Sequence, residues 1–393
     1  YPQRFAGKKW PLPEFVREWA DFVEDFIGGK VKKRKGDRKP HFTDAKQIQL
    51  LALPDADLAW HVRAWGRWVL ERARQELAGR YPVVGGEPTV AYLWARTARD
   101  PQTTGRIPLL KTLWLGRKRG KRTALLPVPN KDGSGVVFKL LRESDLAQPQ
   151  RVVDENECLQ RWEVTAETLE DFLKNGTMNR AGVWSPCSGR PGVIALTMED
   201  LRRQGQQGLL SAQVTAVVVE RKKPTGKGTF KAYRLATAAE EAAARVEMED
   251  LEDVYQGIPF GVPGEATPAG GGSGASRAYS LHKYGMTRWR DMFTPRQLFS
   301  LGVFVKHIRA ATELLRESSP ASAEAIVAGL ALGFDRLIDF ANVNVQWKLD
   351  AECINHALVR YALQITWDFG EPNMIGEHSG AFGICIERIC EAL

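Results

Sequence analysis

This chain carries catalytic residue types without catalytic spacing. No HExxH, GxSxG, Walker-type phosphate loop or dinucleotide fingerprint occurs. His41, His61, His282, His307, His356 and His378 are scattered, and no pair suggests a metal site. His307 and His356 fall within helical patterns and are expected to be structural or surface residues. The run Gly270-Gly271-Gly272-Ser273-Gly274 lacks the GK[ST] ending of a phosphate loop and reads as a flexible linker. The five cysteines are Cys158, Cys187, Cys353, Cys385 and Cys390, with no CxxC spacing, so a reducing cytoplasm is expected.

The chemistry that the residues do suggest is phosphate binding. Net charge is +8, which favours an anionic partner. The cations come in three clusters. Arg117, Lys118, Arg119, Lys121 and Arg122 surround Gly120, just after Trp114, and read as a turn between strands. Lys222, Lys223 and Lys227 sit in a second hairpin turn with Pro224, Gly226 and Gly228. Lys32, Lys33 and Arg34 belong to a third basic run after Gly28-Gly29. A basic hairpin tip aims several cations at one backbone without burying them, so each could clamp DNA. Each is also consistent with a solubilising turn or loop.

Two further stretches combine aromatic and polar groups. Tyr284, Trp289 and Phe293 alternate with Lys283, Arg288 and Arg290, as in a packed staple or a nucleic-acid contact. Trp367, Asp368, Glu371 and Asn373 form a candidate pocket wall at an expected helix end, or else a capped loop.

Periodicity supplies the elements that would position these groups. Residues 1–80 read as helical, with Phe15, Trp19, Phe22, Val23 and Phe26 on one face. Asp55 can cap a second helix through Leu58, Val62, Trp65, Val69 and Ala73. Residues 81–235 read as a β-rich insertion, beginning with the period-two run Val90, Tyr92, Trp94. Residues 236–277 combine an Ala/Glu-rich helix with a Gly/Pro-rich linker. Residues 278–393 read as a helical domain. Thr294, Pro295 and Gln297 form its first cap, and Ser319-Pro320 starts a second helix. A third is expected from Ala351 through Ile354, Leu358, Tyr361 and Ile365, and a fourth after Ser379. The expected class is α+β: a helical N-terminal part, a β-rich middle with basic hairpins, and a helical C-terminal domain.

The run Tyr284-Gly285-Met286-Thr287-Arg288-Trp289-Arg290-Asp291-Met292-Phe293-Thr294-Pro295-Arg296-Gln297-Leu298 resembles a segment of the adenine-specific DNA methylases that carry a zinc-ribbon insertion. That family is often met in phage-defence islands. Val90-Ala91-Tyr92-Leu93-Trp94-Ala95-Arg96-Thr97, Phe334-Asp335-Arg336-Leu337 and Thr366-Trp367-Asp368-Phe369-Gly370-Glu371-Pro372-Asn373 extend the resemblance in the family's order.

The resemblance implies a parent enzyme for phage defence or restriction-modification. It would transfer a methyl group from S-adenosylmethionine to adenine N6 of double-stranded DNA. Such enzymes need an FxGxG-type cofactor loop and a [DNS]PP[YF] motif that holds the extruded base. Neither occurs here, and Asp100-Pro101 is followed by Gln102. The expectation is therefore the central, DNA-engaging region, inactive alone, with the motifs on flanking sequence or a partner chain. The opening Tyr1-Pro2, without Met, suits a fragment. The family's zinc knuckles would fall near 96–105, which has no cysteine, and at Ser185-Pro186-Cys187-Ser188-Gly189, which keeps one. Four ligands are needed, so no zinc is expected. No run reaches the roughly 18–20 apolar residues of a membrane span, so no membrane partner is expected. A stand-alone, non-catalytic nucleic-acid-binding module is the alternative. A protein-interaction scaffold built on the helical C-terminal domain is a third reading.

Overall fold

The computed structural model describes residues 5–27, 55–153, 160–270, 278–358 and 362–393. Its helices are α1 (Ala20–Ile27), α2 (Leu58–Leu77), α3 (Ala166–Asn175), α4 (Met198–Gln206), α5 (Ala238–Ala243), α6 (Met248–Tyr255), α7 (Pro295–Ser318), α8 (Pro320–Phe340) and α9 (Phe382–Cys390). The longer strands are β1 (Thr89–Arg99), β2 (Arg106–Leu109), β3 (Trp114–Gly116), β4 (Thr123–Pro129), β5 (Val136–Arg142), β6 (Gln150–Val153), β7 (Gln160–Val164), β8 (Ser211–Lys222), β9 (Thr229–Arg234) and β10 (Asp368–Pro372). The fold is α+β, and it packs as two units. One comprises Tyr1–Glu76, Val303–Arg336 and Phe382–Leu393; the other comprises Leu77–Gly302 and Leu337–Ala381.

The first unit is helical. Phe15, Trp19 and Phe22 form a chain of aromatic contacts that Phe22 and Phe26 extend onto Trp60. Small residues let the helices approach closely. A Cβ on Gly66 would lie 2.7 Å from Ile386, and one on Gly329 would lie 2.6 Å from Val62. Phe304 stacks on Phe382 at 4.6 Å. Asp57, not Asp55, caps α2, its Oδ1 accepting from the Trp60 amide at 3.1 Å. Asp55 instead lies in a two-residue strand beside Trp10–Pro11.

The second unit is built on β1. Its sheet runs β9-β8-β1-β10, with β2 also paired to β1. β8 takes one edge of β1; on the other, β10 pairs with residues 91–95 and β2 with residues 96–99. Nearly all of β1 is buried, so it is a central strand rather than one half-exposed by alternation. β3-β4-β5 form a second antiparallel sheet, and β6 pairs with β7.

The middle region is β-rich as expected, and it also holds α3 and α4, each capped by a threonine (Thr165 and Thr197). Several expectations fail locally. No helix forms over 351–358. Cys353–Ile354 pairs with Trp347–Lys348, and Leu358 is exposed. Ile354 packs against Gly370, where a Cβ would lie 2.5 Å away. His356 is therefore in a loop, 3.0 Å from Asp339. Residues 368–372 form an edge strand rather than a helix end. Gly370 and Pro372 disfavour a helix, and an edge tolerates the proline. The Ala/Glu-rich stretch divides into α5 and α6. The expected cap at Thr294 is present: the Gln297 amide donates to Thr294 Oγ1 at 3.1 Å, and the Thr294 amide to Gln297 Oε1 at 2.9 Å.

Candidate nucleic-acid interface

The β3–β4 turn carries Arg117, Lys118, Arg119, Lys121 and Arg122; the β8–β9 turn carries Lys222, Lys223 and Lys227. Antiparallel pairing sets Arg221 opposite Phe230, at the mouth of the second turn. Lys121 Nζ stands 4.2 Å from the centroid of the Phe230 ring, so the two basic turns are neighbours. A second clasp joins them. Lys118 pairs with the Glu352 carboxylate, which also accepts from the Tyr233 hydroxyl on β9 at 3.1 Å. Lys231 Nζ donates to the Glu352 backbone carbonyl.

Not all of these cations are free to meet an anion. Arg122 makes two bonds to Glu143 Oε1, at 3.0 and 2.8 Å, and lies 3.5 Å from Glu170. The hydrogen bond from Arg122 holds the Glu143 carboxyl below its ordinary range. Arg117 lies 3.8 Å from Glu170. Three of the five cations of the first turn are thus matched by carboxylates. Arg119, Lys121, Lys222, Lys223 and Lys227 are exposed, and no carboxylate among the described residues pairs with them. Sequence counting could not separate the two sets, because Glu143, Glu170 and Glu352 are distant in the chain. Lys32, Lys33 and Arg34 lie outside the described residues.

The candidate pocket wall does not converge on one pocket. Trp367 is buried edge-to-face against Tyr284, with ring centroids 5.0 Å apart, in a cluster with Ala98, Ile107 and Leu201. Glu371 is wholly buried, and its Oε1 accepts from Arg296 Nε at 2.6 Å. Asn373 stabilises a turn, donating to the Thr89 carbonyl at 3.2 Å and accepting from the Ile375 amide at 3.3 Å. Asp368 lies beside a separate small cavity of about 200 Å³. Strand alternation explains the dispersal: successive residues point to opposite faces. Sequence reading missed Arg96 and Arg296. Arg96 Nε donates to the Thr366 carbonyl at 2.8 Å, and its Nη2 lies 3.5 Å from Met286 Sδ. For Arg96, an arginine directly after the apolar run 90–95 of a strand was the available signal.

Burial pushes the Asp368 carboxyl from 3.8 up to about 6, with Lys111 pulling the other way. A carboxyl harder to ionise in the folded chain than in the unfolded one costs stability as pH rises from about 4 to 6. Asp368→Asn is therefore expected to stabilise the fold at pH 8 by about 1–2 kcal/mol, with the gain shrinking toward pH 4. Thermal melts at pH 4.5 and 8 check this; an equal gain at both would refute it.

The segments 96–105 and 185–189 also meet. Asp100 Oδ2 accepts from Ser188 Oγ at 2.7 Å and from Ser185 Oγ, while Oδ1 accepts from the Gln102 amide at 2.8 Å. Cys187 is buried beside them, its Sγ 3.4 Å from the Gly135 carbonyl. A carboxylate and two hydroxyls tie these segments together. Among the described residues, no group of three or more His, Cys, Asp or Glu side chains could hold a metal ion. No helix among them is long and apolar enough to cross a membrane. No family model, curated protein or solved structure matches this chain.

Proposed function

We propose that this chain is the central, DNA-engaging region of an S-adenosylmethionine-dependent adenine-N6 DNA methyltransferase. It would serve phage defence or restriction-modification in the cytoplasm. Its partner is double-stranded DNA, held along the paired basic turns. The FxGxG-type loop and the DPPY-type motif come from flanking sequence or a partner chain.

One observation carries this reading: three of the segments that resemble the methylase family, far apart in sequence, pack around each other. Trp94 pairs with Phe369 across β1 and β10. Tyr284 packs on Trp367, and Arg296 pairs with Glu371. The proximity of the two basic turns also favours a second reading, a stand-alone nucleic-acid-binding module without catalysis.

Fluorescence anisotropy with a labelled duplex across a salt series tests the binding both readings share. Five phosphate-contacting cations predict a log–log slope of about −4 to −5. A flat response would overturn both readings. Methyl transfer from labelled S-adenosylmethionine separates them. This chain alone should give none. Adenine methylation once the neighbouring sequence or a partner is added supports the first reading; binding without methylation under those conditions supports the second. Turnover by this chain alone would contradict the placement of the motifs.

A further inference from the structure

β1 also borders a cleft of about 760 Å³, inside the roughly 300–1,000 Å³ range of small-molecule sites. Trp94 and Arg96 are two residues apart on β1 and so share a face. Phe369 joins them from β10, opposite Trp94. The Trp94 and Phe369 rings are parallel within 3°, with centroids 6.0 Å apart. Phe138 and Phe293 add apolar wall.

Arg96 is anomalous in this setting. Its guanidinium has only neutral company: the Thr366 carbonyl, Met286 Sδ and the Phe369 ring, whose centroid is 5.7 Å away. No carboxylate among the described residues pairs with it. Loss of hydration pulls its pKa down to about 10. Three carboxylates also border the cleft. Asp291 accepts from the Arg288 amide at 2.8 Å, Glu247 caps α6, and Glu241 is exposed to solvent. Arg96 keeps partial exposure, so a ligand in the cleft can reach it; a guanidinium that has lost much of its hydration without a counter-charge is unfavourable, and an arriving anion would relieve that.

We infer that this cleft binds a small amphipathic anion: an apolar or aromatic body bearing one carboxylate, sulfonate or phosphate, with Arg96 as its counter-ion. The cleft supplies apolar walls for the body and Arg96 for the head; its other cation, Arg245, is exposed to solvent. This site is distinct from the basic turns and does not depend on DNA binding.

The test uses two dyes with the same rings. 8-Anilinonaphthalene-1-sulfonate carries a sulfonate; N-phenyl-1-naphthylamine does not. Fluorescence titration should show one saturable sulfonate-dye site, bound about 10- to 100-fold tighter than the neutral dye. Arg96→Met should remove that difference while leaving the neutral dye unchanged. Ala212 pairs with Arg96 across β8 and lines the same cleft. Ala212→Phe should therefore weaken both dyes, and it decides the matter if the Arg96 variant does not fold. Equal affinity of the two dyes, unaltered sulfonate binding in Arg96→Met, or unaltered binding of both dyes in a folded Ala212→Phe would overturn the inference.

Discussion

Glu371→Gln is expected to destabilise the unit built on β1 by about 3–5 kcal/mol, the cost of leaving a buried ion-pair partner without its counter-charge. For a unit of this size that is a Tm lower by about 10 °C. Arg296 and Glu371 are both wholly inaccessible to solvent. Burial alone would lower the Arg296 pKa, but the charge and hydrogen bond of Glu371 outweigh it and hold it above its ordinary value. Arg296 Nη1 also donates to the Arg80 carbonyl at 3.1 Å, and its guanidinium lies 4.0 Å from the Tyr92 ring centroid. The pair therefore ties the start of α7 to β10, β1 and the segment at Arg80. Burial pushes the Tyr92 hydroxyl up to about 12, so it stays neutral and cannot replace the missing carboxylate. A companion variant, Arg296→Met with Glu371→Leu, removes both charges and should recover most of the loss. Differential scanning calorimetry measures both. A single variant as stable as the parent would show that the pair does not hold these elements together.

The second large effect concerns DNA. Replacing Arg119, Lys121, Lys222, Lys223 and Lys227 together by glutamine should weaken duplex binding on the order of a hundredfold or more, and flatten the salt slope by about 4. Replacing Lys118 and Arg122 should change affinity far less than replacing Lys121 and Lys223, because Glu352 and Glu143 already engage the first two. These two double variants each remove two cations, so they differ in pairing and not in number. Filter binding at two salt concentrations reads the difference. Equal losses in the two variants would mean that net charge, not the free set, governs binding.

How much of this was legible in the sequence depends on the range of the interactions involved. The Thr294–Gln297 cap and both basic hairpins are local, decided within a few residues, and were readable. The apparent helix from Ala351 was not. Ile354 and Leu358 have helical spacing, but Ile354 is buried against Gly370 while Leu358 faces solvent. Residues 368–372 became a strand because β1 offered an open edge, which no local propensity encodes. The candidate wall failed for the same reason. Glu371 looked like a pocket carboxylate until Arg296, 75 residues earlier, was found to occupy it. The neutralisation of Lys118 by Glu352 is likewise long-range.

The central claim is that one DNA duplex lies across both basic turns. Photo-crosslinking tests it most directly. A benzophenone side chain is placed at Gly120 in one preparation and at Thr225 in another, and each is irradiated with the same labelled duplex. Both positions should crosslink, and excess unlabelled duplex should compete both away at the same concentration. Crosslinking from only one position, or from neither, under conditions where the duplex is bound, would contradict that claim.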